Sequence, residues 1–140
     1  MARIDDGYQT LIGFASSPTV KLYEKSVTPP GMDAGGEVDT TTMHNTRYRT
    51  RNPKALITMS TSSLKAAYDP AVYPQIVALI GVNNLITITF PDGSTVAFWG
   101  WLNKFTPGEL VEGEQPTADV EIIPSNQNSS GVETAPAYSA

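Results

Sequence analysis

Residues 85–102, LITITFPDGSTVAFWGWL, restrict the fold more than any other part of the chain. Ile86, Ile88 and Phe90 alternate with Thr87 and Thr89, which places the apolar side chains on one face of an extended strand. Pro91-Asp92-Gly93 then carries turn chemistry. On the return, Val96, Phe98 and Leu102 share a face, with Gly100 between them, and Ala97, Trp99 and Trp101 share the opposite one. This is a β-hairpin, and the rest of the sequence is written in the same style.

Proline and glycine, 11 of each, punctuate the whole chain. Strands are expected at Tyr8–Phe14, Val20–Val27, Ala55–Thr61 and Ala118–Ile123. In the second, Val20 and Leu22 oppose Lys21, Tyr23 and Lys25, and the TPPG at 28–31 ends it, because Pro29 and Pro30 cannot donate ladder hydrogen bonds. One helix is expected, from Pro74 to Ile80, after a short turn at 69–72 and ended by Gly81. Pro74 belongs at its start, since a proline ring inside a helix clashes with the preceding turn. The fold expected is mainly β: a β-sandwich or partial barrel with one short helix and a long extended loop. Residues 1–124 form one domain, 28–53 are its long loop, and 125–140 read as a flexible polar tail.

Composition narrows the function classes. Only 16% of the 140 residues are charged, against about 25% in ordinary domains. A subunit surrounded by copies of itself tolerates that shortage. The net charge of −5 argues against nucleic-acid binding as the main activity. Without cysteine there is no disulfide framework and no thiolate ligand or nucleophile. MARIDDGYQT lacks the apolar core of a signal peptide, and IVALIGV at 76–82 is too short to cross a membrane. The expectation is a protein that stays soluble in a cytoplasm and has no membrane partner.

The long loop, GMDAGGEVDTTTMHNTRYRTR at 31–51, contains no reaction chemistry. His44, the single histidine, has neither a clustered ligand nor an evident nucleophile, so a hydrogen-bonding role is expected. Asp33, Glu37 and Asp39 do not match a calcium loop, and Gly35-Gly36 reads as a hinge. Arg47, Arg49 and Arg51 fall at alternate positions, which in an extended chain aligns three guanidiniums. They suit a solvated face, a phosphate stripe or ion pairs to a neighbouring chain. Ion pairs are favoured, because after Lys104 the chain has no base and carries Glu109, Glu112, Glu114, Asp119, Glu121 and Glu133. Trp99 and Trp101 suit a core, an interface or a sugar-stacking platform. No catalytic residue, metal site or cofactor is expected.

Three passages, in this order, resemble the major tail tube proteins of long-tailed, non-contractile bacteriophages (siphophages). They are the loop TPPGMDAGGEVDTTTMHNTRYRTRNP, the helix-to-hairpin run YPQIVALIGVNNLITITFPDGSTVAFWGWLNKF, and the closing TPGELVEGEQPTADVEIIPSN. Together they cover most of residues 20–125. Some relatives carry an immunoglobulin-like domain after the last strand; here a short polar tail follows instead. The resemblance implies a non-enzymatic structural protein of the virion tail, assembled in the host cytoplasm. Its subunits would form hexameric rings stacked into a hollow tube, with DNA passing through transiently and non-specifically. The implied partners are the protein itself, a tape-measure protein, and tail-completion and tail-tip proteins.

On that reading Gly31, Asp33, Gly35, Gly36, Glu37, Asp39, Met43, His44, Arg47, Arg49 and Arg51 belong to an inter-subunit loop. Thr87, Thr89, Asp119 and Glu121 are the candidates for lining the lumen, where an acidic or neutral wall lets DNA slide. The rival reading is a monomeric β-sandwich that binds carbohydrate through Trp99 and Trp101. A hydrolase using His44 is the third.

Overall fold

The computed structural model describes residues 10–15, 23–68 and 73–140. Their strands are β1 (Leu11–Phe14), β2 (Tyr23–Thr28), β3 (Met32–Asp33), β4 (Glu37–Asp39), β5 (Arg51–Pro53), β6 (Thr58–Met59) and β7 (Ser62–Ala67). After the helix α1 (Tyr73–Leu79) come β8 (Asn84–Thr89), β9 (Thr95–Pro107), β10 (Thr117–Pro124) and β11 (Ala137–Ser139). Among the described residues, seven strands form one antiparallel sheet in the order β1-β8-β9-β10-β7-β2, with β11 added to β9. The sheet curls into a half-barrel, as the expected mainly β class requires.

The hairpin of 85–102 is built as its alternation demands. Ile86 and Ile88 are fully buried and Phe98 and Leu102 nearly so, and β8 pairs with β9 in register from Asn84↔Gly100 to Thr89↔Thr95. In the turn the Asp92 carboxylate accepts from the Ser94 hydroxyl at 2.6 Å and from the Ser94 amide at 3.0 Å. These bonds, the hydroxyl first, hold the Asp92 carboxyl below its ordinary pKa.

Strand β9 is long because it serves two partners in succession. Its first half pairs with β8 and its second with β10, from Gly100↔Pro124 to Pro107↔Ala118. Between them the register slips by one residue at Glu121/Ile122, leaving Asn103 as a bulge. A bulge bends and twists its strand, which is how one sheet curls over its own core. Gly100 sits where β9 passes from β8 to β10, paired with both Asn84 and Pro124. A Cβ there would lie 2.6 Å from the Ile123 carbonyl oxygen, so only glycine allows the two backbones to approach so closely.

Inside the curl, Ile12, Phe14, Leu64, Ala66, Val120 and Ile122 join the hairpin residues in one apolar cluster. Helix α1 closes it with Ile76 and Leu79. The helix ends as expected, with Gly81 at φ 76° and its amide bonded to the Leu102 carbonyl at 3.0 Å. The curl also brings the two ends of the sheet together, where the Ile12 amide donates to Glu24 Oε1 at 3.0 Å.

Three expectations need correction or restriction. The strand expected at Ala55–Thr61 is shorter, Thr58–Met59, and the main-sheet strand is the next one, Ser62–Ala67, where Ser62, Leu64 and Ala66 face inward. Leu56 and Ile57, which suggested a strand, are exposed. Residues 125–140, expected as a flexible tail, make defined contacts with the sheet. The Ser125 amide bonds to the Trp99 carbonyl, Ser125 Oγ donates to Asn83 Oδ1 at 2.6 Å, and β11 continues along the edge of β9 beyond β10. The expected first portions of β1 and β2, and the turn at 69–72, lie outside the described residues.

Candidate functional site: a β-ribbon arm

The long loop is a two-stranded arm. Beyond the last pair of β2 and β7, Thr28↔Ser63, the same two stretches of chain keep pairing outward. The Ser60 amide donates to the Gly31 carbonyl, then Met32↔Met59 and Asp33↔Thr58 pair, then Glu37↔Pro53 through Asp39↔Arg51. The Thr40 amide to the Thr50 carbonyl, 3.0 Å, adds the last rung before the tip. At about 3.3 Å per residue a fully extended ribbon of this length would reach at most roughly 40 Å from the sheet.

Local chemistry shapes each part. Gly31 lies against Ser60, its amide donating to Ser60 Oγ at 2.7 Å. The Asp33 carboxylate accepts from the Gly35 amide at 2.7 Å, turning the chain into Gly35 and Gly36, both at positive φ (83° and 95°). The expected hinge is therefore a defined left-handed kink between β3 and β4. Asp39 accepts from the Thr41 amide at 2.9 Å. Its carboxyl is held below the ordinary value by hydrogen bonds from Thr41, the side-chain contribution being the larger. At the tip Asn45 ties the turn, accepting from the Thr42 amide and donating to the Tyr48 carbonyl at 2.7 Å. His44 is exposed there, and its amide bonds to Thr42 Oγ1.

The three arginines do not form the single stripe that alternation predicted, because residues 46–48 bend and extended geometry resumes only at Arg51. Two of them meet acids of the same arm: Arg51 reaches Glu37 at 2.8 Å, and Arg49 reaches Asp39 at 3.6 Å. Arg47 instead sits 5.9 Å from the centroid of the Tyr48 ring. Among the described residues no carboxylate reaches it. The tip encloses a shallow hollow lined by Thr42, Met43, Asn45, Arg47 and Tyr48.

Thr87, Thr89, Asp119 and Glu121 all lie on the face of the sheet turned away from the core. They are not neighbours. Thr87 pairs with Ala97 and Asp119 with Thr106, at opposite ends of bent β9. Around Asp119 and Glu121 that face holds Ser26, Thr28 and Ser63, and each acid has a lysine directly across the ladder. Lys65 lies 4.0 Å from Asp119, and Lys104 lies 3.9 Å from Glu121. Trp99 and Trp101 are half-buried on the same face, paired with Leu85 and Ile123.

Sequence reasoning counted the acids of the loop 108–116, GELVEGEQP, between β9 and β10, but passed over its apolar pair. The loop presents exposed Leu110 and Val111 among three glutamates. The signal was present, as an apolar pair inside an acidic turn.

No family model matches the sequence, and no curated protein does. The fold, in contrast, is shared with chains of solved tail particles. A chain in the virion of the native gene transfer agent (GTA) particle aligns at TM-score 0.69 and 12% identity, over 98% of this chain and 100% of that one. A chain in the tail of the empty GTA particle, of C6 symmetry, aligns at 0.68 and 12%, with the same coverage. A chain in the 6-fold symmetrised baseplate of the anti-feeding prophage (AFP) aligns at 0.66 and 9%, over 100% of this chain and 98% of that one.

Proposed function

We propose that the protein is a structural, non-enzymatic subunit of a phage-type virion tail that self-assembles into stacked hexameric rings forming a hollow tube. The observation that carries this reading is the end-to-end match to three chains of tail-type particles, two of them from structures of six-fold symmetry. The half-barrel supports it physically. Among the described residues, strands β1 and β2 are the edges of the sheet, and the Ile12 amide donates to Glu24 Oε1 between them. Open edges invite pairing with another chain, and closure within a ring removes that hazard.

The tube belongs to the siphophage type that the sequence resembles. The face of β10, β7 and β2 bearing Asp119 and Glu121 lines its lumen: short hydroxyl side chains and acids matched by Lys65 and Lys104 give DNA a wall without net positive charge. The arm is the contact between subunits, with Arg49 and Arg51 stiffening it through Asp39 and Glu37. A tape-measure protein would occupy the lumen during assembly, and tail-completion and tail-tip proteins would close the ends.

Light scattering and negative-stain microscopy over a concentration series test this. Hollow tubes of uniform width are expected from the purified protein or, if nucleation is needed, after adding extract of phage-infected cells. Replacing residues 33–58 with Asn-Gly, a two-residue hairpin turn, should leave a folded monomer that makes no tubes. Protein that stays monomeric and enters no tail in such an extract overturns the reading.

A further inference from the structure

The two ends of the molecule complement one another. Strand β7 starts beside the root of the arm, where Ser62 Oγ bonds to the Thr28 carbonyl. It finishes beside the loop 108–116, where Ala67 pairs with Thr117 and the Tyr68 amide bonds to the Pro116 carbonyl at 2.9 Å. The arm and this loop therefore project from opposite poles of the same strands.

Their surfaces match in kind and oppose in sign. Residues 40–50 of the arm hold Arg47 and Arg49. Arg49 is paired with Asp39 at the edge of the tip and Arg47 meets no carboxylate among the described residues, whereas 108–116 hold three glutamates and no base. At the arm tip Met43 is 101% and Tyr48 76% exposed, and at the other pole Leu110 is 68% and Val111 43% exposed. Apolar side chains left open at both poles, each ringed by one sign of charge, are what a contact surface looks like before it is covered.

We infer that the arm tip of one copy seats on the 109–114 loop of the next copy along the axis of the β7 strand, with Met43 and Tyr48 against Leu110 and Val111, and Arg47 among Glu109, Glu112 and Glu114. The occupant is a second copy of this chain, because the chain itself supplies both halves of the match at opposite poles. Such a contact is heterologous, head to tail. It leaves a free tip at one end of every assembly and a free acidic loop at the other, so copies add without limit and in one direction. This rests on the tail-tube reading and adds to it the surface that receives the arm.

The absence of native cysteine makes the contact directly testable. One preparation carries Met43→Cys and another Val111→Cys, both at exposed positions where the fold does not depend on the native side chain. The two are mixed, allowed to assemble, treated with a mild oxidant and run on a non-reducing gel. A dimer band is expected in the mixture at several times the yield of either preparation alone. It should be absent when Thr87→Cys replaces Val111→Cys, and should fall several-fold when Glu109, Glu112 and Glu114 are changed to Gln. Assemblies seen by light scattering without the mixed dimer would overturn the pole-to-pole contact and leave the tube reading standing. No assembly under any condition would overturn both.

Discussion

The body of the molecule and its arm share one pair of strands but are stabilised by different forces. In the body, Ile86, Ile88 and Ile122 are wholly buried and Phe98 is 1% exposed, so removal of apolar surface from water dominates, at about 25 cal/mol per Å². In the arm, no residue from 31 to 58 is buried. What remains there is a backbone ladder, carboxylate-to-amide turns and exposed ion pairs. Each hydrogen bond contributes about 0.5–1.5 kcal/mol net, while fixing each residue costs about 1–2 kcal/mol. The arm is thus close to balance by itself, and the body specifies the fold.

The comparison can be broken most severely in the body. Phe98→Ala should cost about 3–5 kcal/mol in denaturant unfolding, since a large ring leaves a cavity in a core that cannot collapse around it. A loss below about 1 kcal/mol would mean that the curl is not organised around this core. Gly100→Ala should cost less, about 1–3 kcal/mol, because a single methyl must push apart backbones held 2.6 Å from where it would sit. A variant as stable as the parent would show that the bend in β9 is soft.

The smallest effect belongs to the arm. Arg51→Ala removes the 2.8 Å pair to Glu37, yet both partners are exposed, and global stability should change by less than about 1 kcal/mol. Amide exchange at Asp39 and Thr40 should quicken all the same, as the ribbon frays locally. Acid should do likewise. The Asp39 carboxyl is depressed in the folded arm, so its contribution is complete above the ordinary carboxylate pKa and is lost as pH falls through the lowered folded value. Exchange at Thr41 should therefore rise only at pH below the usual carboxylate range. If Arg51→Ala instead lowered the unfolding midpoint as far as Phe98→Ala does, the arm would not be a separate layer of stability.

What the sequence disclosed follows the same division. The hairpin at 85–102 and the helix were legible because burial writes a period into apolar residues. Strand β7 was missed because Ser62-Ser63-Leu64-Lys65-Ala66-Ala67 fills the core with small side chains, and of its inward residues only Leu64 looks apolar enough to count. The pairing of Glu37-Val38-Asp39 with Arg51-Asn52-Pro53 left no pattern at all, since backbone bonds hold it and both of its faces meet water. The contacts of residues 125–140 left little pattern for a similar reason: polar residues make them, through Ser125, Asn126 and β11, rather than apolar burial. The arginines were read as partners for another chain because the sequence shows which charges exist, but not that Asp39 and Glu37 lie across the ribbon from them.

The ladder of the arm also bears on how fast the chain can find its fold. Pairing β2 with β7 requires Thr28 and Ser63 to meet across everything between them, and the entropy of closing such a loop grows with its length. A ribbon that zips from the Asn45 turn inward shortens that loop rung by rung, converting a distant encounter into a series of local ones. The segment that contributes least to holding the monomer together thereby acts as the thread along which its edge strand is drawn into register.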